Sequence, residues 1–174
     1  MIGLLLALLF LFTFGLIALY GAPYVPSRKS EIKDALVELY PLGRKDTLVD
    51  IGSGGGVVLR QASSLGAKAI GYELNPLLYG ISKFLSRKDK KVSVHFADYW
   101  TAHLPDETTV VYVFSVMRDM KKIGRWVQNQ ANRIDKPIHL ISFGFELGGK
   151  KADKNVGAYF LYIINPLQSD KAQV

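Results

Sequence analysis

Val49-Asp50-Ile51-Gly52-Ser53-Gly54-Gly55-Gly56 (VDIGSGGG) joins a strand-forming run, Thr47–Ile51, to an apolar run, Val57–Leu65, that Gly66 stops. This order predicts a strand, a tight turn and a helix. Glycine at 52, 54 and 56 lets the backbone bend sharply and lets a ligand approach where a Cβ would otherwise stand. The helix start behind it offers free N–H groups and the positive end of a dipole. Turns of this kind also occur with nothing bound, so the residues around it have to carry the argument further.

Outward from the turn, Lys68–Glu73 reads as a second strand, followed by a helix with Asn75 as N-cap and Pro76 at its first position. Leu77, Leu78, Ile81, Phe84 and Leu85 are expected to form its apolar face. Val92–Phe96, Thr109–Ser115 and Pro137–Phe145 read as further strands, a helix is expected around Met120–Ala131, and Ala158–Ile164 reads as a last strand. Ahead of the turn, Ile32, Ala35, Leu36, Leu39 and Tyr40 recur at helical spacing up to Pro41, a face suited to a sheet or to lipid. The alternation predicts an α/β fold, a doubly wound and mostly parallel sheet, with the final strand antiparallel at or near one edge.

Two acids raise the significance of the turn. Glu73 ends the second strand, where a carboxylate can accept hydrogen bonds from both hydroxyls of a ribose. Asp98 follows the third strand beside Tyr99 and Trp100, a carboxylate next to stacking surfaces. Spacing then narrows the ligand. Counted from Gly52, the third glycine position of a dinucleotide fingerprint is Val57, and counted from Gly54 it is Leu59, which disfavours NAD and FAD. No lysine follows the glycines as a phosphate-binding loop requires, and Ser53 does not stand in G-x-S-x-G. His95, His103 and His139 are dispersed and read as structural or exposed, so no metal site is expected.

Composition sets the remaining bounds. The 174 residues, 49% hydrophobic and 21% charged, allow one domain of ordinary globular character. Cys 0 excludes disulfides and thiolate chemistry. Met1–Ser27 carries no charged side chain, and Ile2–Tyr20 is an apolar run that as a helix would span about 28 Å against a hydrocarbon core of ~30 Å. A cleaved signal peptide fits less well: no basic residue opens the run, and the small-residue site at Ala22 is followed by Pro23. The expected organisation is a transmembrane anchor over 1–20, a proline-stiffened linker over 21–27 and a folded domain over 28–174. Arg28, Lys29 and Lys33 place that domain on the cytoplasmic or equivalent side of a membrane. The net charge of +7 calls for an anionic partner, acidic lipid or nucleic acid. The tightest basic cluster, Arg87–Lys91, reads as a solvated helix end and loop.

The pattern D-x-G-x-G-x-G over Asp50–Gly56 resembles motif I of the seven-strand, Rossmann-like S-adenosylmethionine-dependent methyltransferases. With its flanks, PYVPS at Pro23–Ser27 and GYELNP at Gly71–Pro76, it is similar to the small membrane-anchored lysine methyltransferases that modify the ATP synthase c-subunit and the adenine nucleotide translocase. The resemblance implies a class I methyltransferase sheet, shortened at the C-terminus, and S-adenosylmethionine as cofactor. It implies lysine N-methylation of a membrane protein, with the domain on the cytoplasmic or mitochondrial matrix side. Carried over by position, it gives Asp50 to the methionine amino end, the backbone of Gly52, Ser53, Gly54 and Gly56 to the cofactor, and Glu73, buttressed by Asn75, to the ribose. Asp98 with Tyr99 would take the adenine. No catalytic base is assigned; Tyr24, Phe114 and Ser115 are the substrate-channel candidates. Two other readings stay open, a methyltransferase for a small molecule or lipid and a non-catalytic cofactor-binding module. Nucleic acid is disfavoured, because Phe114-Ser115-Val116-Met117 replaces the N/D-P-P-Y/F motif of amino-methylating RNA enzymes.

Overall fold

The structure, a computed structural model, describes residues 3–5, 8 and 29–167. Residues 3–5 and 8 are helical; the rest of the anchor expected over 1–20, the linker 21–27 and Tyr24 lie outside the described residues. Among the described residues no helix is long and apolar enough to cross a membrane.

The elements run α1 (Lys29–Glu38), β1 (Thr47–Ile51), α2 (Val57–Ser64), β2 (Lys68–Glu73), α3 (Pro76–Ser86), β3 (Val92–Phe96), β4 (Val110–Phe114), α4 (Met117–Ile134), β5 (Ile138–Phe143), β6 (Lys154–Val156) and β7 (Tyr159–Ile164). They form a 7-stranded sheet in the order β3-β2-β1-β4-β5-β7-β6. The five strands from β3 to β5 are parallel, whereas β7 runs antiparallel to both β5 and β6. The winding direction reverses between β1 and β4. That is the point at which open α/β sheets leave a crevice at the carboxyl ends of their strands.

Burial on both faces explains the near-continuous apolar character of the central strands. On one face Leu48, Ala69 and Tyr112 meet Ile32 and Leu36 of α1 and Leu59 of α2. On the other, Val49, Val111 and Leu140 meet Ile123, Trp126 and Val127 of α4. The amphipathic face of α1 therefore lies on the sheet, with Ile32, Ala35, Leu36 and Leu39 all buried.

Three details go beyond the sequence expectations. First, the apolar face of α3, whose orientation the spacing leaves open, points outward: Leu77, Ile81, Phe84 and Leu85 are exposed, and Ser82 and Ser86 are buried on the opposite side. A Cβ built on Gly56 would come within 2.2 Å of the Ser82 hydroxyl, so α3 and the glycine turn approach too closely for a larger residue at position 82. Second, β6 was not anticipated, because Lys-Asn-Val has no alternation to betray a strand; Gly157, at φ 55°, turns it back into β7. Third, the sheet has all seven strands, and the β5–β6 connection, residues 144–153, contains no helix.

The β3–β4 connection likewise contains no helix and is held to α4 by polar contacts. The buried Gln130 side chain accepts from the Leu104 N–H at 3.0 Å, and Arg133 donates to Asp106 at 2.8 Å and to the Leu104 carbonyl. Replacing Gln130 by Leu keeps the apolar packing but leaves the Leu104 N–H without its acceptor. Stability should fall by about 1–3 kcal/mol, read as a lower urea midpoint at unchanged slope.

Candidate functional site

The glycine turn is held by the end of β2. Gly52 and Ser53 both donate their N–H to the Tyr72 carbonyl, at 2.9 and 3.0 Å. One oxygen of the Glu73 carboxylate accepts from Gly54 N–H at 2.7 Å, and the other accepts from Asn75 N–H at 2.7 Å. Asn75 caps α3 through its side chain, which accepts from Leu77 and Leu78 N–H at 2.9 and 3.2 Å. Glu73 thus ties the turn to the start of the next helix while retaining one unused lone-pair direction on each oxygen. This positioning role is a bond between side chain and backbone, which sequence pattern does not reveal.

The turn is open on its outer side. Gly52 adopts φ 87°, and a Cβ there would meet nothing within 4 Å. Its inner side is closed, because a Cβ on Gly71 of β2 would lie 2.6 Å from both the Ser53 hydroxyl and Leu59. Gly56 at φ 73° starts α2. The arrangement is a cradle of backbone floored by a strand that carries no side chain at its nearest point.

Asp50 lies at the base of this cradle. It is 3% exposed, and no donor among the described residues reaches its carboxylate. Burial first, and the charge of Glu73 second, push its carboxyl well above the ordinary range. A buried, unpaired carboxylate is costly, and a cationic ligand such as an ammonium would relieve that cost. The buried Ser53 hydroxyl also lacks a partner among the described residues.

Register brings the other candidates to the same edge. Glu73 pairs with Phe96, and Ala97 N–H donates to the Glu73 carbonyl at 3.2 Å, which sets Asp98 next to the end of β2. Asp98 accepts from Trp100 N–H at 3.0 Å. The Tyr99 ring lies 4.6 Å from Trp100 and edge-on to Trp126 at 5.8 Å, so it is anchored against α4. Burial, then the charges of Asp119 and Asp98, raise its hydroxyl pKa. Asp119, in the first turn of α4, therefore joins the carboxylates at this edge, and sequence reasoning missed it because a helix start was expected only at Met120. Ile51 pairs with Val113, so Phe114 and Ser115 stand beside Gly52 and Ser53. Ser115 is buried, and the Phe114 ring packs on Phe143 at 5.4 Å.

The edge therefore gathers Asp50, Glu73, Asp98 and Asp119 in a protein whose net charge is +7. Asp119 is paired with Arg118 at 3.2 Å, so the acids of this edge that can accept a cationic group or hydroxyl donors are chiefly Asp50, Glu73 and Asp98. Among the described residues no group of three or more His, Asp or Glu side chains is placed to hold a metal ion.

No protein-family model matches the chain. Over 111 residues it is 32% identical to the ATP synthase c-subunit lysine N-methyltransferase of Xenopus laevis, which covers 62% of this chain and 48% of the relative. With the human protein of the same name it shares 31% over 119 residues, 64% of this chain and 50% of that one. With the adenine nucleotide translocase lysine N-methyltransferase of Mus musculus it shares 34% over 88 residues, 48% and 38% of the two chains. The chain thus spans about half the length of the ATP synthase c-subunit methyltransferases it matches. Among solved structures, an RNA methyltransferase from Salinibacter ruber bound to S-adenosyl-L-homocysteine superposes with a TM-score of 0.73, at 24% identity, over 85% of this chain and 98% of that one. A geranyl diphosphate C-methyltransferase from Streptomyces coelicolor gives 0.52 at 20% identity, over 65% and 45%. Neighbours with such different substrates have the fold in common. The chain has the seven-strand class I methyltransferase fold, and its sequence resembles the lysine N-methyltransferases named for the ATP synthase c-subunit and the adenine nucleotide translocase.

Proposed function

We propose that the chain is an S-adenosylmethionine-dependent methyltransferase acting on a lysine of a membrane protein. In this reading residues 1–20 anchor it in a bilayer, 21–27 form a linker and 28–174 form the methyltransferase domain on the cytoplasmic or matrix side. The observation that carries the reading is Asp50, a buried carboxylate with no donor among the described residues, at the base of an open glycine cradle. An α-ammonium is the group that satisfies it. The similarity to lysine N-methyltransferases supports a protein-lysine acceptor, and the uncharged run Ile2–Tyr20 supports attachment to a membrane.

When bound, S-adenosylmethionine supplies a methyl carbon activated by its sulfonium. Asp50 receives the amino end, and the backbone of Gly52–Gly56 lines the cradle. Glu73 uses its free lone pairs for the ribose hydroxyls while Asn75 steadies its loop. Asp98 and Tyr99 accept the adenine edge and face. Phe114 and Ser115, with Tyr24 from the linker, border the path of the lysine. An apolar wall there disfavours the ammonium form and so favours the neutral amine that can attack. Alignment and exclusion of water are the contributions these residues make, and no metal enters.

Asp50 supplies a test with two opposite signs. Because its carboxyl is raised in the native state, the native protein holds this proton to higher pH than the unfolded chain does. Stability from this group therefore falls as pH rises from about 4 toward the raised native value, and cofactor affinity rises across the same window. Asp50→Asn should abolish both slopes. It should raise the thermal midpoint of the ligand-free protein at neutral pH while weakening S-adenosylmethionine binding about 10- to 100-fold by calorimetry.

Transfer itself is tested with methyl-labelled cofactor and native membranes. Label is expected on lysine in a protein band, to rise with pH as the amine loses its proton, and to be lost in Glu73→Ala. Phe114→Ala should lower kcat/KM about 10- to 100-fold with cofactor affinity unchanged. Label confined to extractable lipid would support a small-molecule or lipid methyltransferase, and binding without transfer to any acceptor would support a cofactor-binding module.

A further inference from the structure

The outward face of α3 has no partner among the described residues. Leu77, Ile81, Phe84 and Leu85 stand at helical spacing on one side, with Leu74 one turn before them, and all are exposed, Phe84 by 63%. Phe96 at the end of β3 extends the patch and meets Tyr79 at 5.7 Å. Single exposed apolar residues are ordinary, whereas a face this long on one helix marks an interaction surface.

The charges around it select the occupant. Residues 76–91 carry Lys83, Arg87, Lys88, Lys90 and Lys91 against the lone carboxylate of Asp89. All five cations are exposed, and Asp89 is engaged by Lys91 N–H at 3.0 Å. The Arg87 guanidinium lies 4.1 Å over the Phe84 ring, and the Lys83 amine lies 2.9 Å from the Tyr79 hydroxyl. Aliphatic stems and rings thus flank the apolar stripe with cationic heads at its margin, which is the pattern of a helix lying in a lipid interface. A second copy would bring the same cations to the contact with no excess of acid to meet them. We propose that α3 docks flat on an anionic bilayer, with Leu77, Ile81, Phe84 and Leu85 among the acyl chains and Lys83, Arg87, Lys88, Lys90 and Lys91 among acidic headgroups.

This contact orients the domain on the bilayer, whereas the anchor proposed above would only tether it. Leu74 and Leu77 flank Asn75, which Glu73 ties to the glycine turn, so docking brings the carboxyl edge of the sheet to the lipid boundary. That consequence rests on the methyltransferase reading; the contact itself does not.

The chain has no cysteine, so one introduced thiol reports one place. The full chain, carrying Phe84→Cys and an environment-sensitive fluorophore, is reconstituted into phosphatidylcholine vesicles with and without phosphatidylserine, each containing nitroxide-labelled lipid. The expected result is a blue shift and nitroxide quenching at position 84 in the anionic vesicles, and neither at Lys136→Cys before β5. Changing Lys88, Lys90 and Lys91 to Gln should reduce the quenched population about fivefold per cation removed. Leu77→Cys repeats the measurement should the label at 84 disturb folding, which circular dichroism checks. The proposal is overturned if both thiol positions in α3 report water in anionic vesicles. It is overturned equally by a shift that follows protein concentration rather than lipid, or by one that needs an added target protein. The readout does not involve methyl transfer, so its failure leaves the catalytic reading untouched.

Discussion

The Glu73 carboxylate accepts one backbone N–H from the glycine turn and one from the residue that caps α3. Hydrogen bonds to a charged acceptor are each worth about 1.5–3 kcal/mol, and here two of them fasten the turn, β2 and α3 at one point. β2 ends there, the turn after β1 is pinned there, and α3 begins there. The remaining contacts of the turn depend on the same join. Gly52 and Ser53 donate to Tyr72, the residue before Glu73, and Ser53 sits against Gly71 where no Cβ intervenes. A side chain at 71 would separate β2 from the turn and draw Glu73 away from Gly54.

Asp50 works against stability in the same place. Its pKa is raised by burial and by Glu73, so ionising Asp50 in the folded chain carries a cost that no cation among the described residues offsets. The salt bridges among the described residues lie elsewhere: Lys68 with Glu107, Arg133 with Asp106, and Arg118 with Asp119 at the start of α4. A buried carboxyl raised in this way at the base of an open cradle is characteristic of a site whose partner arrives as a ligand.

Much of this was legible in the sequence because it rests on local rules. The glycine turn, the strand ends at Glu73 and Asp98, and the Asn75-Pro76 helix start are positional signals, and the structure has each of them where the spacing put it. Burial on both faces marked β1 and β4, and the alternation of strands with helices implied the parallel sheet. What escaped was set by tertiary contact. β6 is a strand only because β7 offers it an edge. The role of Glu73 in holding backbone, and the position of Asp119 beside Tyr99, need the coordinates of neighbouring elements. Helical periodicity located the apolar stripe of α3 but could not say that it faces outward, because periodicity identifies a face and does not say what the face meets.

The reason α3 faces outward lies in the turn itself. Glycine at 56 permits a left-handed backbone at the start of α2, and with no Cβ it also permits α3 to approach until Ser82 touches it. At that distance only a small side chain fits, so position 82 cannot carry the bulk of a core helix. Burying Ser82 and Ser86 gives little hydrophobic stabilisation, and the Ser82 hydroxyl has no partner among the described residues, so the seat of α3 is weak for a helix of this length. The leucines and phenylalanine that would have supplied that stabilisation lie on the opposite face, where water makes them unfavourable. A sequence that retains such an arrangement is explained once the outer face is covered by something apolar. The cations along its margin indicate that the cover has a negatively charged surface. The close approach of α3 to Gly56 is thus the constraint that turns the apolar side of α3 toward the surroundings.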